Sequence, residues 1–224
     1  MTGAAAVRPR IAVLDYGIGN LRSAQKALEH VGADAHLTAD AAEVAAADGV
    51  VLPGVGAFGA CMDALRACHL DTVALDAVAS GRPFLGICVG MQMLFDASTE
   101  SPGVAGLGVL PGTVGLLPGD IKRPQMQWNR LLVRATDPLL AGLEHDAWVY
   151  FVHSYAAPMS DACLATCEYG SEVVAMVRQG NVRATQFHPE KSGEAGLRLL
   201  ANFVDLVRAA GAAAPQPSRR GTEG

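Results

Sequence analysis

The stretch 83-PFLGICVGMQMLF-95 decides how this chain is read. An apolar run leads into a single thiol, Cys88, with Gly86 and Gly90 two residues away on either side, and a longer helical pattern follows. A strand-to-helix corner of the form G-x-nucleophile-x-G is a nucleophile elbow. Its backbone segments cross so closely that only glycine fits at the flanking positions. The turn projects the thiol at the end of its strand and aims the next backbone amide, that of Val89, at an incoming carbonyl. The helix N-terminus beyond favours thiolate over thiol. The alternative is a buried core cysteine between two packing glycines, and the motif alone does not decide between them.

Working outward, strand and helix patterns alternate. The segment 10-RIAVLDYG-17 reads as a buried strand ending in an acidic, glycine-rich turn. In 20-NLRSAQKALEHVGA-33, Leu21, Ala24, Ala27, Leu28 and Val31 recur at helical spacing and Gly32 supplies the stop. A second strand, 48-DGVVLPGVGAFG-59, runs into a glycine loop, a single helix is expected over 61–79, and 82-RPFLGICVG-90 is another strand. This alternation predicts an α/β fold, a mostly parallel central sheet with helices on both faces. Past about Leu110 the chain becomes strand-rich, until the amphipathic helix 193-GEAGLRLLANFVDLVRAA-210. One domain is expected over 10–208, with 1–9 and 209–224 as disordered tails.

Composition narrows the function classes. The 224 residues, half of them hydrophobic and 17% charged, suit one well-buried domain. A net charge of −5 leaves no electrostatic footprint for nucleic acid or an anionic membrane. No stretch has the length of a membrane span or a signal-peptide core, so a soluble, cytoplasmic protein is expected. Five cysteines (Cys61, Cys68, Cys88, Cys163, Cys167) are an odd number without a C-x-x-C pair. Cys163 and Cys167 are read as buried structural thiols rather than a metal or redox pair. The remaining histidines show no metal-ligand spacing, and His153, in an apolar strand with no neighbouring acid, suits a hydrogen-bonded structural role. No metal or cofactor is expected.

A base for the thiol is found in 184-ATQFHPEKSG-193. Pro189 keeps His188 out of helical geometry, so His188-Pro189-Glu190 is expected to be extended, with residues two apart on one side. Glu190 then holds one imidazole nitrogen while the other takes the thiol proton. An acid lying between nucleophile and histidine, as in a cysteine α/β-hydrolase, is the competing arrangement, and Asp96, Asp120 and Asp137 are available for it. The loop 52-LPGVGAFG-59 offers the amides of Gly54, Val55 and Gly56 to an oxyanion together with Val89. A phosphate cradle is the rival reading of that loop and of 15-DYGIGN-20, although neither matches a nucleotide-binding fingerprint.

Together, LDYGIGNLRS, LPGVGAFG, GICVGMQMLF, YFVHSY and ATQFHPEKSG, in this order, resemble the class I (triad) glutamine amidotransferases. Within them they resemble the glutaminase subunits of imidazole glycerol phosphate synthases, over about Ile11 to Val207. The resemblance implies a flavodoxin-like domain in which Cys88, His188 and Glu190 hydrolyse the glutamine side-chain amide through a thioester. Gln92, Ser154 and Tyr155, with the backbone at Val89, would hold the substrate. It also implies a heterodimer with a (β/α)₈-barrel cyclase, which receives the ammonia and forms imidazole glycerol phosphate and aminoimidazole carboxamide ribotide in histidine biosynthesis. Asn20, Trp128, Asn129, Tyr150 and Lys191 would lie on the docking surface.

One segment departs from the pattern. Where the family commonly reads H-M-G-W-N, this chain has 125-QMQWN-129, which is expected to remove a titratable group and add bulk near the partner surface. A different acceptor pathway, a non-catalytic regulatory subunit and a cysteine esterase are the competing functions. The intact Cys88, His188 and Glu190 count against the second of these.

Overall fold

The computed structural model describes residues 8–213. Its first half is the anticipated alternation, with more elements than the sequence pattern showed. β1 (Arg10–Leu14) is followed by α1 (Leu21–His30), β2 (Asp34–Thr38), α2 (Ala41–Ala46) and β3 (Gly49–Gly54). Neither β2 nor α2 was anticipated. β2 alternates between buried and exposed residues at the sheet edge, without a continuous apolar run. α2 is six residues long, capped by the Asp40 side chain accepting from the amides of Ala42 and Glu43.

The single helix expected over 61–79 is two helices, α3 (Phe58–Ala67) and α4 (Leu70–Ala79). His69 separates them in a left-handed conformation at φ 55°, which breaks the helical path with no glycine or proline to announce it. β4 (Phe84–Cys88) then runs into α5 (Val89–Met93), only five residues long, and β5 (Phe95–Ser98) begins almost at once. The longer helix suggested by the apolar pattern is absent because Phe95 turns into a strand that pairs with β6 (Leu110–Leu116).

The second half is strand-rich: β7 (Gln125–Arg130), β8 (Leu132–Val133), β9 (Trp148–His153), β10 (Tyr155–Ala156), β11 (Cys163–Glu168), β12 (Glu172–Gln179) and β13 (Val182–Thr185). α6 (Gly193–Ala213) is the last element among the described residues. It continues past residue 208, where the domain was expected to end. The rest of the anticipated tails, 1–7 and 214–224, lies outside the described residues.

The main sheet has the order β2-β1-β3-β4-β13-β12-β11-β8. Pairings from β2 through β13 are parallel, and those from β13 to β8 are antiparallel. Right-handed crossovers fix where the helices go. The chain steps one way from β1 to β2 and the other way from β2 to β3, so α1 and α2 cover opposite faces. β3 and β4 are buried along their whole lengths, as expected of central parallel strands. All the parallel strands point their C-terminal ends the same way. There Gly54 pairs with Cys88, and Thr185 pairs with Ile87 one residue before the thiol. The glycine loop, the thiol corner and the HPE segment therefore leave the sheet side by side. Ligand sites of open α/β sheets form at this edge.

Candidate active site

Cys88 sits at φ 56°, ψ −112°, a strained conformation for a residue with a side chain. The flanking glycines are required by contact. A methyl group on Gly90 would lie 1.9 Å from the Leu52 carbonyl oxygen, and one on Gly86 would press on Leu94, Ala184 and the Gly90 carbonyl at 3.0–3.1 Å. The corner is thus wedged between β3 and the segment that follows it, with Cys88 only 3% exposed.

His188 Nδ1 lies 2.8 Å from Glu190 Oε1, and both side chains are buried. The extended tripeptide expected here is realised only at His188 (φ −99°, ψ 97°), because Pro189–Lys191 forms a 3₁₀ turn. That turn, rather than strand alternation, brings Glu190 back under the imidazole. It is tied down by Ser192, whose hydroxyl donates to the His188 carbonyl (2.6 Å) and accepts from the Tyr150 amide (2.9 Å). Burial alone would pull the His188 pKa down. The Cys88 sulfur and the Glu190 carboxylate outweigh it and push the pKa up to about 9. An imidazolium facing the Cys88 sulfur is the state this arrangement favours.

A cavity of about 420 Å³ opens over the thiol. Cys88, Val89 and His188 supply its reactive wall, Val55 and Gly56 a second side, and Gln92, Ser154 and Tyr155 a third. Gly54 is not among the lining residues, and a methyl group on it would stand 2.7 Å from the Gly90 amide nitrogen and 3.0 Å from the Tyr16 hydroxyl. Asn20 and Lys191, expected on a docking surface, also line this cavity, so they stand at its mouth. Glu190 stays behind His188.

Four further groups were not singled out from the sequence. Glu100 lines the cavity, with one carboxylate oxygen accepting the Phe58 amide at 2.7 Å. It is the only carboxylate among the lining residues, and no local motif marks it. Tyr16 donates to the Pro53 carbonyl (2.5 Å) and Cys61 Sγ donates to the Val55 carbonyl (3.2 Å), so both flanks of the Gly54–Val55 peptide are held. Gln186 is fully buried beside the sulfur, with Nε2 3.8 Å from Cys88 Sγ.

His153 has the hydrogen-bonded role expected of it and also forms part of the cavity wall. Its Nδ1 meets the Tyr155 carbonyl at 2.8 Å, and burial pulls its pKa down to about 4, so the ring is neutral. Cys163 and Cys167 are free buried thiols. The placement of Gln125 corrects the expectation for QMQWN. Gln125 pairs with His153 across β7 and β9, is fully buried and faces His153 and Cys167, while only Gln127 of the two glutamines is exposed. The departure is therefore half an interior change.

The outer face of the β7–β9 ribbon carries Met126, Trp128 and Trp148, which are 62%, 48% and 52% exposed. Trp128 meets Tyr150 edge-on with ring centroids 6.1 Å apart. Asn129 turns inward and donates to the Glu168 carbonyl. Among the described residues there is no cluster of three or more metal-ligating side chains, and no helix long and apolar enough to cross a membrane.

Comparison with known proteins shows the family. Residues 12–207 match the family model described as glutamine amidotransferase class-I. A relative from Methanothermobacter thermautotrophicus, named imidazole glycerol phosphate synthase subunit HisH, is 50% identical over 200 residues, covering 89% of this chain and all of its own length. A HisH subunit from Synechococcus elongatus is 51% identical over 209 residues, covering 90% and 95%. Among solved structures, one described as a glutamine amidotransferase superposes with a TM-score of 0.70 at 22% identity, covering 88% of this chain and 98% of its own. PurLQS from Thermotoga maritima gives 0.71 at 22% identity, covering 89% and 99%. At such identities these last two speak for the fold.

Proposed function

Since the chain belongs to the class-I glutamine amidotransferases, and within them to the HisH group, we propose that it is the glutaminase subunit of an imidazole glycerol phosphate synthase. The observation that carries this reading is the strained thiol of Cys88 sharing one cavity with a His188 imidazole that Glu190 holds at 2.8 Å.

In this mechanism the Cys88 thiolate attacks the glutamine side-chain carbonyl carbon. The developing oxyanion is received by backbone amides at Val89 and in the Gly54–Val55–Gly56 loop. His188, as imidazolium, gives its proton to the leaving nitrogen and ammonia departs, leaving a γ-glutamyl thioester. His188 then takes a proton from water as it attacks that thioester. Glutamate is released and the thiolate returns. Glu100 supplies the charge complement for the substrate's α-ammonium. Both amide hydrogens of Gln92 are held within the protein, by the Tyr155 carbonyl and the Gln186 oxygen at 3.0 Å each. Gln92 therefore offers the substrate only its oxygen, an acceptor suited to the same ammonium. The backbone around Ser154 and Tyr155 completes the site.

The ammonia passes to a (β/α)₈-barrel cyclase docked on the Trp128 face, with Asn20 and Lys191 at the cavity mouth beside it. The Gly54–Val55 peptide is the switch. With its amide turned away the oxyanion lacks a donor, which costs about 10²–10³ in rate, and the docked partner stabilises the turned-in form.

The deciding experiment is glutamate release from glutamine by this chain alone, with a barrel cyclase carrying its nucleotide ligand, and with Cys88→Ala. Strong stimulation that disappears in the variant supports the whole reading. Turnover that ignores the cyclase refutes the partnership, and turnover that survives Cys88→Ala refutes the chemistry.

A further inference from the structure

A buried chain of hydrogen bonds ends on the Cys88 sulfur, and one backbone carbonyl sets the orientation of every group in it. The Tyr155 carbonyl can only accept. It takes N–H from Gln92 Nε2 at 3.0 Å and from His153 Nδ1 at 2.8 Å. The Gln92 amide nitrogen also faces the Gln186 side chain at 3.0 Å, so the Gln186 atom there is the oxygen. The nitrogen of Gln186 is thereby the atom 3.8 Å from Cys88 Sγ.

The other branch is equally determined. Neutral His153 has used its one N–H on Tyr155, so its Nε2 accepts. The Gln125 amide lies 3.1 Å from that nitrogen and 3.7 Å from Cys167 Sγ. Every group is satisfied only if the Gln125 nitrogen faces His153 and its oxygen faces the thiol; the two amide atoms are distinguished by their partners and not by their shape. Burial pushes the Cys167 pKa up to about 11, which leaves that thiol its proton to donate. Gln92, Gln125 and Gln186 are 3%, 0% and 0% exposed.

We propose that Gln186 is a further catalytic residue, an amide donor to the Cys88 sulfur that raises the fraction of thiolate, held in its donating orientation by Gln92 and the Tyr155 carbonyl. His188 is then one of two donors to the sulfur. The inference rests on Cys88 being the nucleophile. The other ionisable groups set around the sulfur are His188 backed by Glu190, Tyr16, Cys61 and, across the cavity, Glu100, His153, Tyr155 and Lys191. Substituting Gln186 leaves all of them in place.

The test follows carboxamidomethylation of Cys88 by iodoacetamide across pH in the uncomplexed full chain. Mass spectrometry quantifies the Cys88 peptide, so that exposed Cys68 does not interfere. Gln186→Glu keeps the acceptor that Gln92 needs and puts an oxygen in place of the donor; Gln186→Leu removes both. Both variants are expected to raise the alkylation midpoint. Below the wild-type midpoint the thiolate fraction should fall about tenfold in Gln186→Leu and further in Gln186→Glu. An unmoved midpoint in a Gln186→Glu chain that unfolds at the wild-type temperature overturns the proposal. In the unsubstituted chain, the Gln186 side-chain amide resonances should titrate with the Cys88 midpoint, and their indifference to it overturns the proposal without any variant. Alkylation reads the thiol without glutamine, so a shifted midpoint in a chain that releases no glutamate even with the cyclase and its nucleotide ligand would refute the function and leave the Gln186 donation to the Cys88 sulfur standing.

Discussion

Gly90 and Leu52 touch backbone to backbone: a single methyl on Gly90 would stand 1.9 Å from the Leu52 carbonyl oxygen. The corner that presents Cys88 is therefore built against the strand that leads into the Gly54–Gly56 loop. The proposed nucleophile and the proposed oxyanion donors leave the sheet from one junction. Gly90→Ala is expected to destabilise the chain by about 3 kcal/mol, measured by urea unfolding, because both sides of the clash are backbone and no rotamer relieves it. Wild-type stability in that variant would contradict the close crossing.

The pKa of His188 is raised from 6.5 to about 9 with the help of the Cys88 sulfur. A base with a raised folded pKa contributes stability that is fully present below about pH 6.5 and lost as pH rises through about 9. In Cys88→Ala the imidazole should titrate below the wild-type value, shown by its NMR shift against pH. The stability advantage of the wild-type chain over Cys88→Ala should shrink as pH approaches 9. An identical His188 titration in both chains would deny the thiolate–imidazolium pair.

His153 behaves in the opposite sense. Its folded pKa is held down near 4 by burial, so the unfolded chain takes up the proton first. Wild-type stability should decline as pH falls from about 6.5 toward about 4. In His153→Asn that part of the acid limb should flatten, as read from the midpoint of thermal unfolding at each pH. A limb of unchanged steepness would place the ring in water rather than in the cavity wall.

Trp128 stands half exposed on a ribbon that also displays Met126 and Trp148. Trp128→Ala should weaken association with the proposed barrel cyclase by about 2 kcal/mol, the scale of an aromatic anchor, measured by titration calorimetry. The uncomplexed chain should keep its unfolding midpoint, since the ring covers little of the core. Undiminished affinity would move the docking surface elsewhere.

Much of the site was legible because its chemistry is carried by short motifs. The G-x-C-x-G corner requires its glycines for a local steric reason, and H-P-E brings His188 and Glu190 within two residues. The roles proposed for Trp128 and Gln92 came through resemblance, and the structure adds that Trp128 is half exposed and that Gln92 lines the cavity. Glu100 was not, because an isolated glutamate on a strand-to-loop junction looks like any solvated carboxylate until the fold closes around it. The break at His69 and the short edge strand β2 were missed for a related reason. Neither carries glycine, proline or a continuous apolar run, and both are decided by how neighbouring elements pack.

Local sequence by itself determined the parallel strand–helix alternation, the strained corner at Cys88 and the pairing of His188 with Glu190, since each depends on residues a few positions apart. Tertiary structure alone decided which way Gln125 faces, that Gln186 reaches the sulfur and that Glu100 enters the cavity. Gln186 and Cys88 are 98 residues apart and meet only because β13 inserts beside β4 in the sheet. Strand order is a property of the whole packed chain, in which every burial face and crossover must be satisfied together, and no local spacing encodes it.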